Sequence, residues 1–293
     1  MKLATFTHAN ATRIGIVEED EVVDLAQSAP DLPRDMLAFL EAGPTALEAA
    51  LRAASGGPRI PLAEVQLQAP IRRPPKFLGI GLNYADHVAE TGAKTPEHPI
   101  IFNKQSTCVV GPYDPIQLPR VSQLLDYEGE LGFVIGRRCR HVSREDAADV
   151  IAGFLVVNDV SVRDWQLRVH TWTMGKSFDT HGPIGPWIVT SDELRDPHVL
   201  GLRTWVNTEL RQESNTKELI FDCFALIEHI STAFTLEPGD VIATGTPSGV
   251  GIGTKPPKLL QVGDVVRIEI EGIGAIENPV IAEPGDTPRR LPS

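Results

Sequence analysis

Residues 125–132 read Leu125-Asp126-Tyr127-Glu128-Gly129-Glu130-Leu131-Gly132 and run on into Phe133-Val134-Ile135. The aromatic and branched content predicts a strand over 128–135. Side chains alternate along a strand, so Glu128 and Glu130 share one face, with carboxylates near enough to hold one cation. Gly129 and Gly132 leave room for close backbone approach. Two like charges on one face repel, which a bound metal would relieve. A solvated strand face is the alternative, and an isolated Glu-x-Glu is far more often that.

Working outward, the apolar run Phe154-Leu155-Val156-Val157 predicts a buried strand over 153–158 that ends at Asn158-Asp159. Asp159 then caps a helical stretch over 160–169 or serves as a third oxygen ligand. Carboxylate oxygens with no soft donor nearby favour Mg²⁺, Mn²⁺ or Ca²⁺ over zinc. Arg163 and Gln166 fall three apart on that stretch and either grip a carboxylate substrate or face solvent. Upstream, Asn83-Tyr84-Ala85-Asp86-His87-Val88-Ala89-Glu90 places His87 and Glu90 at i, i+3 if helical. A carboxylate so placed orients an imidazole as a base, or forms a surface ion pair of small worth.

Other motifs exclude function classes. Thr244-Gly245-Thr246-Pro247-Ser248-Gly249-Val250-Gly251 is a tight loop without the Lys–Ser/Thr pair of a Walker loop. Gly79-Ile80-Gly81 lacks the third glycine of a dinucleotide fingerprint, because Tyr84 stands there. No nucleotide cofactor is therefore expected. Ser106, Ser177 and Ser248 lack the G-x-S-x-G elbow, and no H-E-x-x-H helix is present.

Strands are further predicted over 77–81, 100–103, 185–189, 202–206, 241–245 and 265–270. Helices are predicted over 144–151, capped by Ser143 with Asp146 three on, and over 223–234, capped by Asp222. The first 62 residues predict strands over 1–7, 13–18 and 21–25, then helices over 35–41 and 45–54. Breaker clusters at 55–62 and 70–77 divide the chain into a small α+β unit over 1–65 and a catalytic unit over 75–283. Strand follows strand rather than alternating with helices, so the class is α+β, β-rich, with a mixed or antiparallel sheet.

The chain has 293 residues, 27 Lys+Arg against 39 Asp+Glu and a net charge of −12, which argues against nucleic-acid or anionic-membrane partners. Its 25 Gly and 24 Pro fit many strand connections. No apolar run approaches a membrane span, and the first residues carry no secretory pattern. Three widely spaced cysteines, Cys108, Cys139 and Cys223, suit reduced thiols. A cytoplasmic location is expected.

Taken in order, GLNYADHVAE, PIIFNKQST, DYEGELGFVIG, NDVSVRDWQ, GKSFDTHGPIGP and GDVIATGTPSGVG resemble the fumarylacetoacetate hydrolase family from Phe77 to about Val280. The tail is similar to the short-chain bacterial and mitochondrial members of its domain-containing group. The resemblance implies a mixed β-sandwich roll, usually homodimeric, with one divalent metal per subunit. It places Glu128, Glu130 and Asp159 on metal-ligand positions, and His87 and Glu90 on a water-activating dyad carried by a lid segment. Lys176 falls on the position facing the substrate's oxo group, and Arg163, Gln166 and Thr246 on substrate-contacting positions. The larger enzymes have a fourth carboxylate ligand, which has no counterpart placed here. The resemblance implies hydrolysis of a C–C bond in a small acylpyruvate-like 2,4-dioxo acid. Oxaloacetate decarboxylation and 2-oxo-acid keto–enol tautomerisation are the alternatives on the same scaffold. A non-catalytic metal-binding module is the alternative of another class.

Overall fold

The structure, a computed structural model, describes residues 1–194 and 196–285. Its central strands, Gly129–Ile135 and Ile151–Asn158, pair antiparallel, with Gly129 opposite Asn158. Both are buried along nearly their whole length, because both faces of this part of the sheet are covered. Leu131, Phe133, Phe154 and Val156 point into a core shared with Leu202, Ile268 and Ile276 of a second, five-stranded sheet. Val134, Leu155 and Val157 point the other way, against Met36, Phe39, Ala46 and Ala50 of the N-terminal helices. A strand covered on both faces reads as a continuous apolar run, which is what 153–158 displays.

On one side of this pair, Val241–Ala243 joins Gly129–Ile135 antiparallel and then pairs parallel with Phe77–Gly81, which pairs with Ile100–Lys104. On the other, Gly182–Thr190 joins Ile151–Asn158 and then Lys2–His8. Through that last pairing the N-terminal strands Lys2–His8, Ala11–Glu18 and Glu21–Asp24 extend the main sheet. The sheets are mixed, with parallel and antiparallel pairs, and the class is α+β and β-rich as expected.

The helix caps follow the sequence. Asp35 accepts from the Leu37 and Ala38 amides at the head of Met36–Glu41. Asp222 accepts from those of Phe224 and Ala225 at the head of Cys223–Ala233. Three local expectations fail. Ser143 caps no α-helix: its hydroxyl donates to Asp146 Oδ2 (2.7 Å) and accepts from the Asp146 amide, and only a 3₁₀ turn, Ala147–Val150, follows. Ile151 must already be extended to pair with Ile135, so no helix can run through it. The stretch 160–169 is no long helix either. Ser161–Val162 pairs with Leu125–Asp126, and one turn, Arg163–Gln166, is all that forms. The Val162 and Arg163 amides are taken by the Gly175 and Leu124 carbonyls. Phe234 lies just beyond its helix and is exposed.

Candidate active site

The antiparallel register that sets Gly129 against Asn158 brings the Glu-x-Glu pair beside Asp159, whose amide donates to the Glu128 carbonyl at 2.9 Å. Carboxylate oxygens of Glu128, Glu130 and Asp159 all lie within 4.8 Å of one another, and all three residues are buried. Asp159 is no helix cap; the capping position belongs to Val162. Its carboxylate is gripped from both sides, by Lys104 Nζ at Oδ1 and Lys176 Nζ at Oδ2, each 2.7 Å away. Lys176 also donates to Glu128 Oε2, and Arg163 Nη1 to Glu128 Oε1, both at 2.6 Å.

Arg163 is held in turn. Its Nε donates to Asp126 Oδ2 at 2.8 Å and its Nη1 to Gln166 Oε1 at 2.8 Å. Asp126 accepts as well from the Gly251 and Ile252 amides, tying the loop after Val241–Ala243 to this cluster. Thr246, on that loop, donates to the Gly129 carbonyl and accepts from Gln212 Nε2.

Electrostatics separates the carboxylates. Burial works against the Glu128 charge, yet Lys176 and Arg163 bring its pKa down to about 2. Burial also opposes the Lys176 ammonium, but Asp159 and Glu128 outweigh it and hold its pKa above the ordinary lysine value. Glu130 is the odd group. Burial and then the Asp159 and Glu128 charges push its carboxyl well above the usual range, and its hydrogen bond comes from the Gly245 amide at 2.7 Å. Four buried acids, Asp126, Glu128, Glu130 and Asp159, thus face three buried cations, Lys104, Arg163 and Lys176. Hard oxygen donors, close spacing and an uncompensated buried carboxylate suit a hard divalent cation at Glu128, Glu130 and Asp159.

His87 and Glu90 lie on the short helix Ala85–Thr91, with Nδ1 and Oε2 3.1 Å apart. Glu90 Oε1 accepts from the Gly249 amide at 2.9 Å, so the loop that carries Thr246 also holds the dyad. Asn83 anchors the start of this segment. Its side chain donates to the Phe221 and Thr244 carbonyls and accepts from the Phe221 amide. His87, Glu128, Glu130, Arg163, Gln166, Lys176 and Thr246 all line one cavity of about 210 Å³. Glu90 and Asp159 stand behind it.

Sequence reasoning missed Lys104 and Asp126. Lys104 closes a strand whose other residues are largely apolar, and Asp126 stood in the first stretch read. Neither signal names its partner, which lies 55 residues away for Lys104 and 37 for Asp126.

Residues 76–281 match the family model described as fumarylacetoacetate (FAA) hydrolase C-terminal, and residues 1–70 match Rv2993c-like, N-terminal. The chain belongs to the fumarylacetoacetate hydrolase family and is an enzyme of that family. It is similar to oxaloacetate tautomerase fahd2, mitochondrial, of Xenopus laevis: 46% identical over 288 residues, 96% of this chain and 90% of that one. Maleylpyruvate hydrolase from Sphingobium sp. SYK-6, solved with manganese (II) ion and pyruvate, superposes with a TM-score of 0.82 at 34% identity, covering 97% of this chain and 100% of that one. For 2-hydroxyhepta-2,4-diene-1,7-dioate isomerase from Mycobacterium marinum the TM-score is 0.77 at 36% identity, covering 97% and 99%. These relatives give the reading of a non-catalytic module no support.

Proposed function

We propose that the protein interconverts the keto and enol forms of a short 2-oxo acid of the oxaloacetate type, with Mg²⁺ or Mn²⁺ held by Glu128, Glu130 and Asp159. The observation that carries the reading is a single oriented base, His87, set on the same small cavity as Glu128, Glu130 and the Lys176 ammonium, with the Asp159 carboxylate just behind. The likeness to an oxaloacetate tautomerase over nearly the whole chain supports it, and the manganese and pyruvate of the hydrolase structure support the metal.

A cation there supplies Lewis-acid polarisation of the 2-oxo group and a hold on the adjacent carboxylate. The rest falls to side chains. With Nδ1 committed to Glu90, His87 presents Nε2 to the substrate and takes the proton from C3. Lys176, kept charged by its carboxylate neighbours, donates at the 2-oxo oxygen as charge builds there. The two groups then exchange protons with solvent, and the reverse path uses them with their roles swapped. Arg163, clamped by Asp126, and Gln166 position the acid, and Thr246 fixes the loop that faces it.

The test follows the ultraviolet enol band of oxaloacetate with the Mn²⁺-loaded protein. Acceleration of its decay to equilibrium is expected, falling by about 10²–10⁴ in His87→Ala. A decay rate the loaded protein does not alter would overturn the reading.

Hydrolysis of acylpyruvates is the second reading, favoured by the Glu90-oriented His87, which can equally take a proton from water. Acetate release from acetylpyruvate is its signature, and CO₂ release from oxaloacetate would mark decarboxylation. A reducing compartment, with cytoplasm proposed, is supported by three unpaired cysteines, although the Xenopus relative is mitochondrial. Among the described residues no helix is long and apolar enough to cross a membrane. A homodimer is proposed from the exposed Leu167, Val169 and Met174, the first of which also lines the cavity, and sedimentation tests it.

A further inference from the structure

Gly79 and Gly81 share one face of the strand Phe77–Gly81, and neither belongs to a nucleotide loop. Each leaves a seat for an aromatic ring. A Cβ at Gly79 would lie 2.3 Å from Phe102 Cζ, and one at Gly81 would lie 2.2 Å from Trp172 Cζ3. Phe102 stands directly opposite Gly79 in the antiparallel pairing, so its ring lies across the neighbouring strand. Trp172 arrives from far along the chain and meets Phe102 edge-on, with ring centroids 5.7 Å apart.

The pair is joined to the catalytic groups. Lys176 Nζ lies 5.2 Å from the Phe102 ring centroid. The Trp172 carbonyl accepts from the Gly175 and Lys176 amides, and Trp172 itself takes a left-handed backbone at φ 58°. A turn held by those bonds, with the ring seated on a glycine, fixes the indole relative to the Lys176 ammonium. Both rings line the 210 Å³ cavity, and Leu82, Leu167 and Ile252 add to its apolar lining. Pockets for drug-sized ligands start at about 300 Å³, and this one is smaller.

From this geometry we infer that Trp172, seated on Gly81 and braced by Phe102, limits the length of the substrate and selects short 2-oxo acids over those with long apolar tails. The inference rests on the 2-oxo-acid reading above and adds the size class. A methylene too many against a closed wall is worth about 10–200-fold.

The experiment measures calorimetric binding of 2-oxobutyrate, 2-oxohexanoate and 2-oxooctanoate to Mn²⁺-loaded wild type, Trp172→Ala and Trp172→Leu. In the wild type, affinity is expected to drop at least about tenfold from the first acid to the last. In Trp172→Ala that drop should vanish or reverse, with 2-oxobutyrate affinity changed less than the affinity for 2-oxooctanoate. Trp172→Leu keeps an apolar wall of smaller reach and should fall between, which keeps the idea testable if the alanine variant does not fold. Equal wild-type affinity across the series, or the same drop in both variants, would overturn the length limit while leaving the 2-oxo-acid reading intact. If the wild type binds none of the three acids, the 2-oxo-acid reading fails and this inference with it.

Discussion

Lys104 Nζ and Asp159 Oδ1 meet at 2.7 Å with both side chains wholly closed to solvent. The same ammonium also reaches the Lys176 and His181 carbonyls. One buried lysine therefore fixes one oxygen of a proposed ligand, the backbone of Lys176 and the strand that begins at Gly182. Removing Lys104 leaves Asp159 held by Lys176 alone, at 2.7 Å, so the cost is that of a lost charge-assisted hydrogen bond, about 1.5–3 kcal/mol. Lys104→Met should lower unfolding free energy by about that much in denaturant titrations of the metal-free protein. A loss below about 1 kcal/mol would mean that the pair is not closed to water.

Glu130 leads to an outcome of opposite signs. Its carboxylate lies with two others and has the Gly245 amide as its hydrogen-bond donor. Glutamine at this position can still accept from that amide while removing a carboxyl whose ionisation the site opposes. Glu130→Gln is therefore expected to stabilise the metal-free protein by about 1–3 kcal/mol. It should weaken Mn²⁺ binding, because a charged ligand is lost. Thermal melts with chelator and calorimetric metal titrations read the two effects separately. Stabilisation together with normal metal affinity would remove Glu130 from the ligand set. In the unsubstituted enzyme, chelator should abolish turnover and added Mn²⁺ restore it.

The dyad depends on a loop distant in sequence. Glu90 accepts from Gly249, and a Cβ at Gly253 would lie 2.9 Å from Glu90 Cδ and 3.0 Å from Oε1. Gly253→Ala should push the Glu90 carboxylate away from His87 Nδ1 without touching the metal cluster. Misplacing a catalytic group by about 1 Å costs on the order of 10²-fold. The expected result is a kcat lowered by about 10–100-fold with KM and metal affinity little changed. A shift in KM alone would show that the loop shapes binding instead.

What the sequence disclosed and what it concealed divide along range. Glu128 and Glu130 were legible because a strand's period of two forces them to one face, and His87 with Glu90 because a helix brings i and i+3 together. The strand Ile151–Asn158 was legible because burial on both faces leaves the apolar run Phe154-Leu155-Val156-Val157. Asp159 was ambiguous, since an aspartate after a strand is more commonly a cap than a ligand, and only the pairing of Gly129 with Asn158 shows it beside Glu128. Lys104, Asp126 and the Trp172 seat were illegible because their meaning lies in a partner dozens of residues away. The predicted helices over 144–151 and 160–169 failed for a related reason. Backbone groups of Val150, Ile151, Val162 and Arg163 are claimed by partners outside these stretches, and tertiary pairing overrides local propensity.

His181 predicts how stability responds to acid. The ring is fully buried, its Nε2 donates to the Gln117 carbonyl at 2.8 Å and its Nδ1 has no hydrogen-bond partner among the described residues. Burial lowers its pKa from 6.5 to about 3. The folded chain therefore binds fewer protons than the unfolded one below the ordinary histidine value. Stability is full above pH 6.5 and is lost as the pH falls toward 3, by up to about 1.4 kcal/mol per unit. Between about pH 6.5 and 5 ordinary carboxylates stay ionised, while Glu130, its carboxyl pushed well above their range, contributes a slope opposite to that of His181. His198, also lowered by burial, adds to the slope with the same sign as His181, so the informative quantity is the difference between proteins. His181→Gln, which can still donate to Gln117, should flatten the loss of unfolding free energy across that window in denaturant titrations. A variant with the wild-type slope would show that His181 takes up its proton without unfolding the strand end that begins at Gly182.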